Sequence, residues 1–303
     1  TDQANTPPDE KGVNVSPSQA QPDGARSKSA APSLALTGLT AVTPSAVLKN
    51  TTITIRDGRI CQIGPALPSR TPTLDLSGSL ALPAFIDTHT HGAMLFSLTG
   101  GIFDPAAGSF VDDDACWHHG LPIYLRTLAS TGVGTVCPGV WATRIPKLQR
   151  SLRVLADYIS SESNAREAAR VHGVLLEAPF FNPRMAGAQN PKAALAPGIE
   201  TFEQLNESGC VRLVNVVPDY GEPSFALIEY LAARGIMPGA GHTDATAAQF
   251  REALRRGLKY AIHFTNGPTG GSYKPFEGGG VIEAVLQSDC YAELISDLYH
   301  VNP

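Results

Sequence analysis

The chain has 303 residues, 43% hydrophobic and 17% charged, enough apolar material to bury one large α/β core or two smaller ones. Its 23 basic and 28 acidic side chains leave a formal charge of −5 and a sequence pI near 5.9, so there is no basic surplus to point to nucleic acid, and a small-molecule substrate is the simpler expectation. Five scattered cysteines form no Cys-x-x-Cys pair and no apolar run approaches the roughly 18 residues that cross a bilayer; this argues against a disulfide framework, a zinc knuckle and a membrane span, and makes cytoplasm the default location.

Residues 1–33 are rich in Pro, Ser, Gln, Asp and Lys and have almost nothing to bury, so the composition predicts a disordered tail. From residue 34 to 81 short β-prone runs follow. Thr51-Thr52-Ile53-Thr54-Ile55 and Arg59-Ile60-Cys61-Gln62-Ile63-Gly64 flank Asp57-Gly58, a strong hairpin signal, and predict a small β module. Residues 82–303 then alternate strand, loop and helix, the signature of βα units on a parallel sheet. Strands are predicted at 82–88, 134–138, 171–176, 211–217, 236–241, 260–264 and 291–296, and helices at 121–130, 145–160, 202–208, 223–234, 245–256 and 280–287. The fold expected is α/β, a (β/α)8 barrel with about seven of its eight strands present.

The most informative run is Phe85-Ile86-Asp87-Thr88-His89-Thr90-His91-Gly92, an apolar strand ending in a His-x-His pair. Residues i and i+2 of a strand share a face, so both imidazoles can reach one point. Glu177, His242 and His263 also follow apolar runs, at the strand ends where such barrels keep their active sites. A carboxylate and two imidazoles with an open fourth position is the donor set of a catalytic divalent metal, which lowers the pKa of bound water to about 7 and polarises a carbonyl. Asp112-Asp113-Asp114 and His118-His119 read as a solvated loop, Trp117 and Trp141 as packing residues, with a sugar platform the alternative for Trp141 because it follows a strand end, and Asp244 as a helix N-terminal residue.

Several stretches in this order resemble the N-acetylglucosamine-6-phosphate deacetylases of the amidohydrolase superfamily. They are Pro83-Ala84-Phe85-Ile86-Asp87-Thr88-His89-Thr90-His91-Gly92, Leu176-Glu177-Ala178-Pro179-Phe180-Phe181-Asn182-Pro183, Gly241-His242-Thr243-Asp244-Ala245-Thr246, His263-Phe264-Thr265-Asn266 and Asp297-Leu298-Tyr299-His300-Val301. The resemblance implies a divalent metal, zinc or iron, on Glu177, His242 and His263, with a second in some members at His89 and His91. It implies substrate contacts at Ala188, Gln189, Asn266, Gly267, Lys274 and His300, and a homodimer. Gln189 stands where family members carry a His, and Lys274 where they carry an Arg, which would cost the phosphate a bidentate fork. The family's catalytic Asp, at the end of the eighth strand, is expected beyond Pro303, so that no residue of this chain is assigned the role and the chain reads as C-terminally truncated. The activity implied is metal-dependent deacetylation of N-acetylglucosamine 6-phosphate. The alternatives are another N-acetylated sugar as substrate, or an inactive fragment.

Overall fold

The computed structural model describes residues 33–64, 71–164, 166, 168–266 and 278–301. All of the expected tail but Ser33, together with Gly267 and Lys274, lies outside the described residues. Contacts divide the chain into two compact units, one through Pro83 and one from Ala84.

The first unit is a five-stranded sheet of β1 (Leu34–Val42), β2 (Val47–Arg56), β3 (Arg59–Gly64), β4 (Thr73–Asp75) and β5 (Leu80–Ala81). The expected hairpin is β2–β3, antiparallel, with Asp57 at φ +51° and Gly58 at φ +71°. Two consecutive positive φ values match the right-handed twist of the strands they join. Leu39, Ala41 and Ile53 form this unit's small core.

The second unit opens with β6 (Phe85–Thr90) and then departs from the expected pattern. Four short strands, β7 (Gly92–Ala93), β8 (Phe96–Ser97), β9 (Gly101–Asp104) and β10 (Ser109–Val111), pair antiparallel in a separate small sheet before α1 (Asp114–Ser130). The remaining elements are β11 (Val133–Val140), α2 (Ile145–Ser160), β12 (Arg170–Val171), β13 (Val174–Leu176), α3 (Ile199–Leu205), β14 (Val211–Asn215), α4 (Glu222–Ala233), β15 (Met237–Ala240), α5 (Ala247–Arg256), β16 (Tyr260–Ala261), α6 (Val281–Leu286) and β17 (Tyr291–Ala292). β6 pairs with β11, β12 and β13 both lie along β11, and β14 to β17 follow in chain order, every pair parallel. The result is a curled parallel sheet of seven strand positions with helices between successive strands, the expected incomplete barrel.

Alternation sorts its residues. Val174 and Leu176 join Tyr124, Leu125, Leu148, Leu152, Phe202, Leu227 and Phe250 in the large core beneath the helices. Leu175 packs instead with Cys137, Leu213, Tyr260 and Ile262. Glu177, two residues past Leu175, therefore inherits the face opposite the helices.

Two expectations about helix starts are corrected. α1 begins at Asp114, not Leu121, because the Asp113 carboxylate accepts the Cys116 N–H at 2.7 Å as the N-cap. Asp114 and His118-His119 are thus helical, and the Asp112 carboxylate is engaged by Lys147 at 3.2 Å, Arg150 at 2.7 Å and the Trp117 indole at 2.9 Å. α5 begins at Ala247, not Ala245, capped by Thr246 in a reciprocal box with Gln249, so Asp244 lies ahead of the cap and not at the helix N-terminus.

Candidate metal centre

Glu177 is 2% exposed and sits at the centre of four imidazoles. Its Oε1 lies 3.1 Å from His242 Nε2, 3.3 Å from His263 Nε2 and 3.5 Å from His89 Nε2, and its Oε2 lies 3.1 Å from His91 Nε2. All four rings thus turn the same nitrogen toward one buried carboxylate. The Nε2 atoms of His89 and His91 are 3.2 Å apart and those of His242 and His263 are 3.1 Å apart. Two donor triads result, His89–His91–Glu177 and Glu177–His242–His263, each with its ligand atoms within 4.8 Å of one another and sharing the carboxylate.

Each outward nitrogen is held as well. His91 Nδ1 lies 3.0 Å from the Gly139 carbonyl, His242 Nδ1 3.0 Å from the Met185 carbonyl and His263 Nδ1 2.8 Å from the Asn266 carbonyl. His89 Nδ1 faces a carboxylate, Glu293 Oε2, at 2.7 Å. A carbonyl or carboxylate can only accept, which puts a proton on each Nδ1; in the metal-free chain an Nε2–H can also donate to Glu177, and a bound cation would take the place of that proton on the Nε2 lone pair. The donor set, its tautomers and its convergence fit a divalent cation, or two bridged by Glu177.

The backbone makes room for this crowding. A Cβ on Gly139 would lie 3.2 Å from both His89 and His91, inside ordinary contact distance. His242 and His263 stand at φ +54° and +34°, the left-handed region that costs a non-glycine residue about 1–3 kcal/mol where the surroundings enforce it. Both follow the short strands β15 and β16, and that turn of the backbone aims their rings at Glu177.

The electrostatics follow from burial and charge. Burial works against ionising Glu177, yet hydrogen bonding to His242, His263, His89 and His91 holds its carboxyl well below the usual range. Burial alone would lower His89, but the Glu177 and Glu293 carboxylates raise it to about 10. Burial raises Asp87, whose Oδ1 accepts the His89 backbone N–H at 3.0 Å. Neither triad contains a carboxylate other than Glu177 among the described residues.

The residues expected at the substrate are arranged unevenly. Gln189 is tied into the cluster, its amide NH2 donating to Glu177 Oε2 while its oxygen accepts the Ala142 N–H at 2.6 Å. Ala188 is exposed beside it. Asn266 anchors His263 through its carbonyl and holds the His300 carbonyl through its side chain at 2.8 Å. The His300 ring is half exposed and paired with Asp297 at 2.6 Å. Asp297 also accepts the backbone N–H groups of His300 and Tyr299, the first of which contributes most to holding its carboxyl at about 2.

Two contributors were not anticipated. Trp141, read as a packing residue, brings its ring centroid within 5.3 Å of His91, the most exposed imidazole of the four. Glu293 was hidden inside a predicted strand whose sequence gave only a polar residue at an alternating position.

No family model matches the chain. It is 28% identical over 282 residues to an N-acetylglucosamine-6-phosphate deacetylase of Bacillus subtilis, across 90% of this chain and 66% of the relative. An N-acetylgalactosamine-6-phosphate deacetylase of Escherichia coli O157:H7 is 30% identical over 255 residues, across 82% of this chain and 60% of the relative. The chain thus spans slightly less than two thirds of the length of these curated relatives. The solved N-acetylglucosamine-6-phosphate deacetylase of Pasteurella multocida superposes with a TM-score of 0.71 at 20% identity, covering 89% of this chain and 66% of that one. A variant of the Mycobacterium smegmatis enzyme, solved in complex with N-acetyl-D-glucosamine-6-phosphate, gives 0.70 at 23%, covering 89% and 65%. Over about nine tenths of its length the chain is thus similar in sequence and in fold to N-acetylglucosamine-6-phosphate deacetylases.

Proposed function

We propose that this chain forms the metal-binding part of an enzyme that hydrolyses the acetamide of N-acetylglucosamine 6-phosphate to glucosamine 6-phosphate and acetate. The observation that carries the reading is the convergence of four Nε2 atoms on the Glu177 carboxylate, with every Nδ1 held by an acceptor. Glu177, His242 and His263 would hold one divalent ion, zinc or iron, and His89 and His91 would share Glu177 with a second. Bound there, such an ion supplies Lewis-acid polarisation of the amide carbonyl and a water acidified to near neutral pH. The chain's own residues supply the rest: Asn266 sets His263 and steadies the His300 segment, His300 faces solvent where a sugar would approach, and Trp141 walls the His91 side. Gly267 and Lys274 would bind the phosphate. Proton delivery to the amine would fall to the catalytic Asp that the resemblance implies, a role given to no residue of this chain. A cytoplasmic homodimer acting on a small amino sugar, with no nucleic-acid or membrane partner, completes the proposal.

A second reading keeps the chemistry and changes the sugar. It is favoured by the N-acetylgalactosamine-6-phosphate relative and by Gln189, whose amide is spent on Glu177 and Ala142. The test is metal content together with acetate release from N-acetylglucosamine 6-phosphate, N-acetylgalactosamine 6-phosphate and the unphosphorylated sugars, on this chain and on one extended by the downstream reading frame. Turnover of the glucosamine phosphate above the others supports the first reading. Faster turnover of another sugar overturns it in favour of the second, and a chain that binds no metal overturns both.

A further inference from the structure

Three of the four imidazoles rest their outer nitrogen on a backbone carbonyl, which any sequence could supply. His89 alone depends on a side chain, and that side chain comes from the far end of the sheet. Glu293 follows β17, the last strand, whereas His89 lies in β6, the first. Both carboxylate oxygens are used: Oε1 accepts the Thr88 hydroxyl at 2.8 Å, and Oε2 takes His89 Nδ1 at 2.7 Å together with the His263 backbone N–H at 3.1 Å. The Glu293 backbone is fixed in turn, its N–H donating to the Ala261 carbonyl at 2.9 Å and its carbonyl accepting the Phe264 N–H at 2.6 Å. With its side chain only 12% exposed, it is held from both ends.

We propose that Glu293 is the positioning residue of the centre. It fixes His89 with the proton on Nδ1 and the Nε2 lone pair toward the cation, so it sets the affinity for the ion that His89 touches. The inference rests on the metal reading above. An amide in its place still offers one oxygen to Thr88 or the His263 N–H. Its NH2, turned to His89 Nδ1, makes that nitrogen the acceptor and moves the imidazole proton to Nε2, where it blocks ligation.

The test measures zinc and cobalt(II) binding to the dialysed chain, by metal analysis, calorimetric titration and the visible spectrum of the cobalt form, for wild type, Glu293→Gln and Thr88→Val. Glu293→Gln is expected to weaken one bound ion about 10–100-fold and to change the cobalt spectrum. Thr88→Val cuts the same inter-strand link but leaves the His89 contact, and is expected to keep wild-type affinities even where its melting temperature falls. Equal affinities in Glu293→Gln for every ion the wild type binds overturn the proposal. So does an equal loss in Thr88→Val, which would reduce Glu293 to a strap between strands. A wild-type chain that binds no zinc fails the metal reading itself, before any variant is made.

Discussion

Glu177 carries more of this site than any other residue, because a single buried carboxylate faces four imidazoles and a Gln amide. Glu177→Gln removes the charge the two triads share and is expected to abolish stoichiometric zinc binding, checked by metal analysis after dialysis. Gln189→Ala tests a different link: it strips a donor from Glu177 Oε2 and an acceptor from the Ala142 N–H. Leaving such buried groups unsatisfied costs about 1–3 kcal/mol each, so the metal-free chain should melt at a measurably lower temperature. The five candidate ligands were legible as residues because each follows an apolar run. Gln189 was legible only as a position: nothing in Gly187-Ala188-Gln189 says that its amide turns to Glu177, twelve residues back.

At the scale of elements, the strand–helix alternation was readable and the boundaries were not. Proline is favoured in a first helical turn, so a start near Leu121 follows from local rules, yet α1 carries Pro122 in its interior and begins at the Asp113 cap. Asp113→Ala is expected to destabilise the chain, read as a lower denaturation midpoint with unchanged m-value. The small sheet of β7 to β10 was missed for a related reason. Its strands are two to four residues long, too short for a period to show, and they exist because they pair with one another.

For the molecule as a whole, the centre couples stability to pH. In the metal-free chain His89 is held protonated to about 10 against an ordinary 6.5, so its contribution is complete below 6.5 and fades as the pH rises through about 10. Glu177 and Glu293 are held below the usual 4.5, so theirs is complete above 4.5 and lost as the pH falls through their lowered values. The chelator-treated chain is expected to be most stable between about pH 5 and 6.5 and to weaken on both sides of that window, checked by thermal melts from acid to alkaline pH. The sheet edges give a second expectation. Among the described residues β6 pairs with β11 alone and β17 with β16 alone, while Phe85, Ile86 and Tyr291 are each about 70% exposed on those strands. Open apolar edges recruit other strands. Concentration-dependent association is expected in light scattering, and Ile86→Lys should reduce it.

By itself the sequence determined what local rules govern: the parallel βα order, the hairpin at Asp57-Gly58, and the placing of His89, His91, Glu177, His242 and His263 at strand ends. Alternation and apolar runs act over a few residues and leave their mark in the chain. Only the tertiary structure decided which side chains meet. Glu293 reaches His89 across 204 positions because curling the sheet brings its first and last strands within one side chain's reach, and Trp141 approaches His91 because β11 pairs with β6. Distance in space between residues far apart in sequence is set by packing, and no local pattern encodes it.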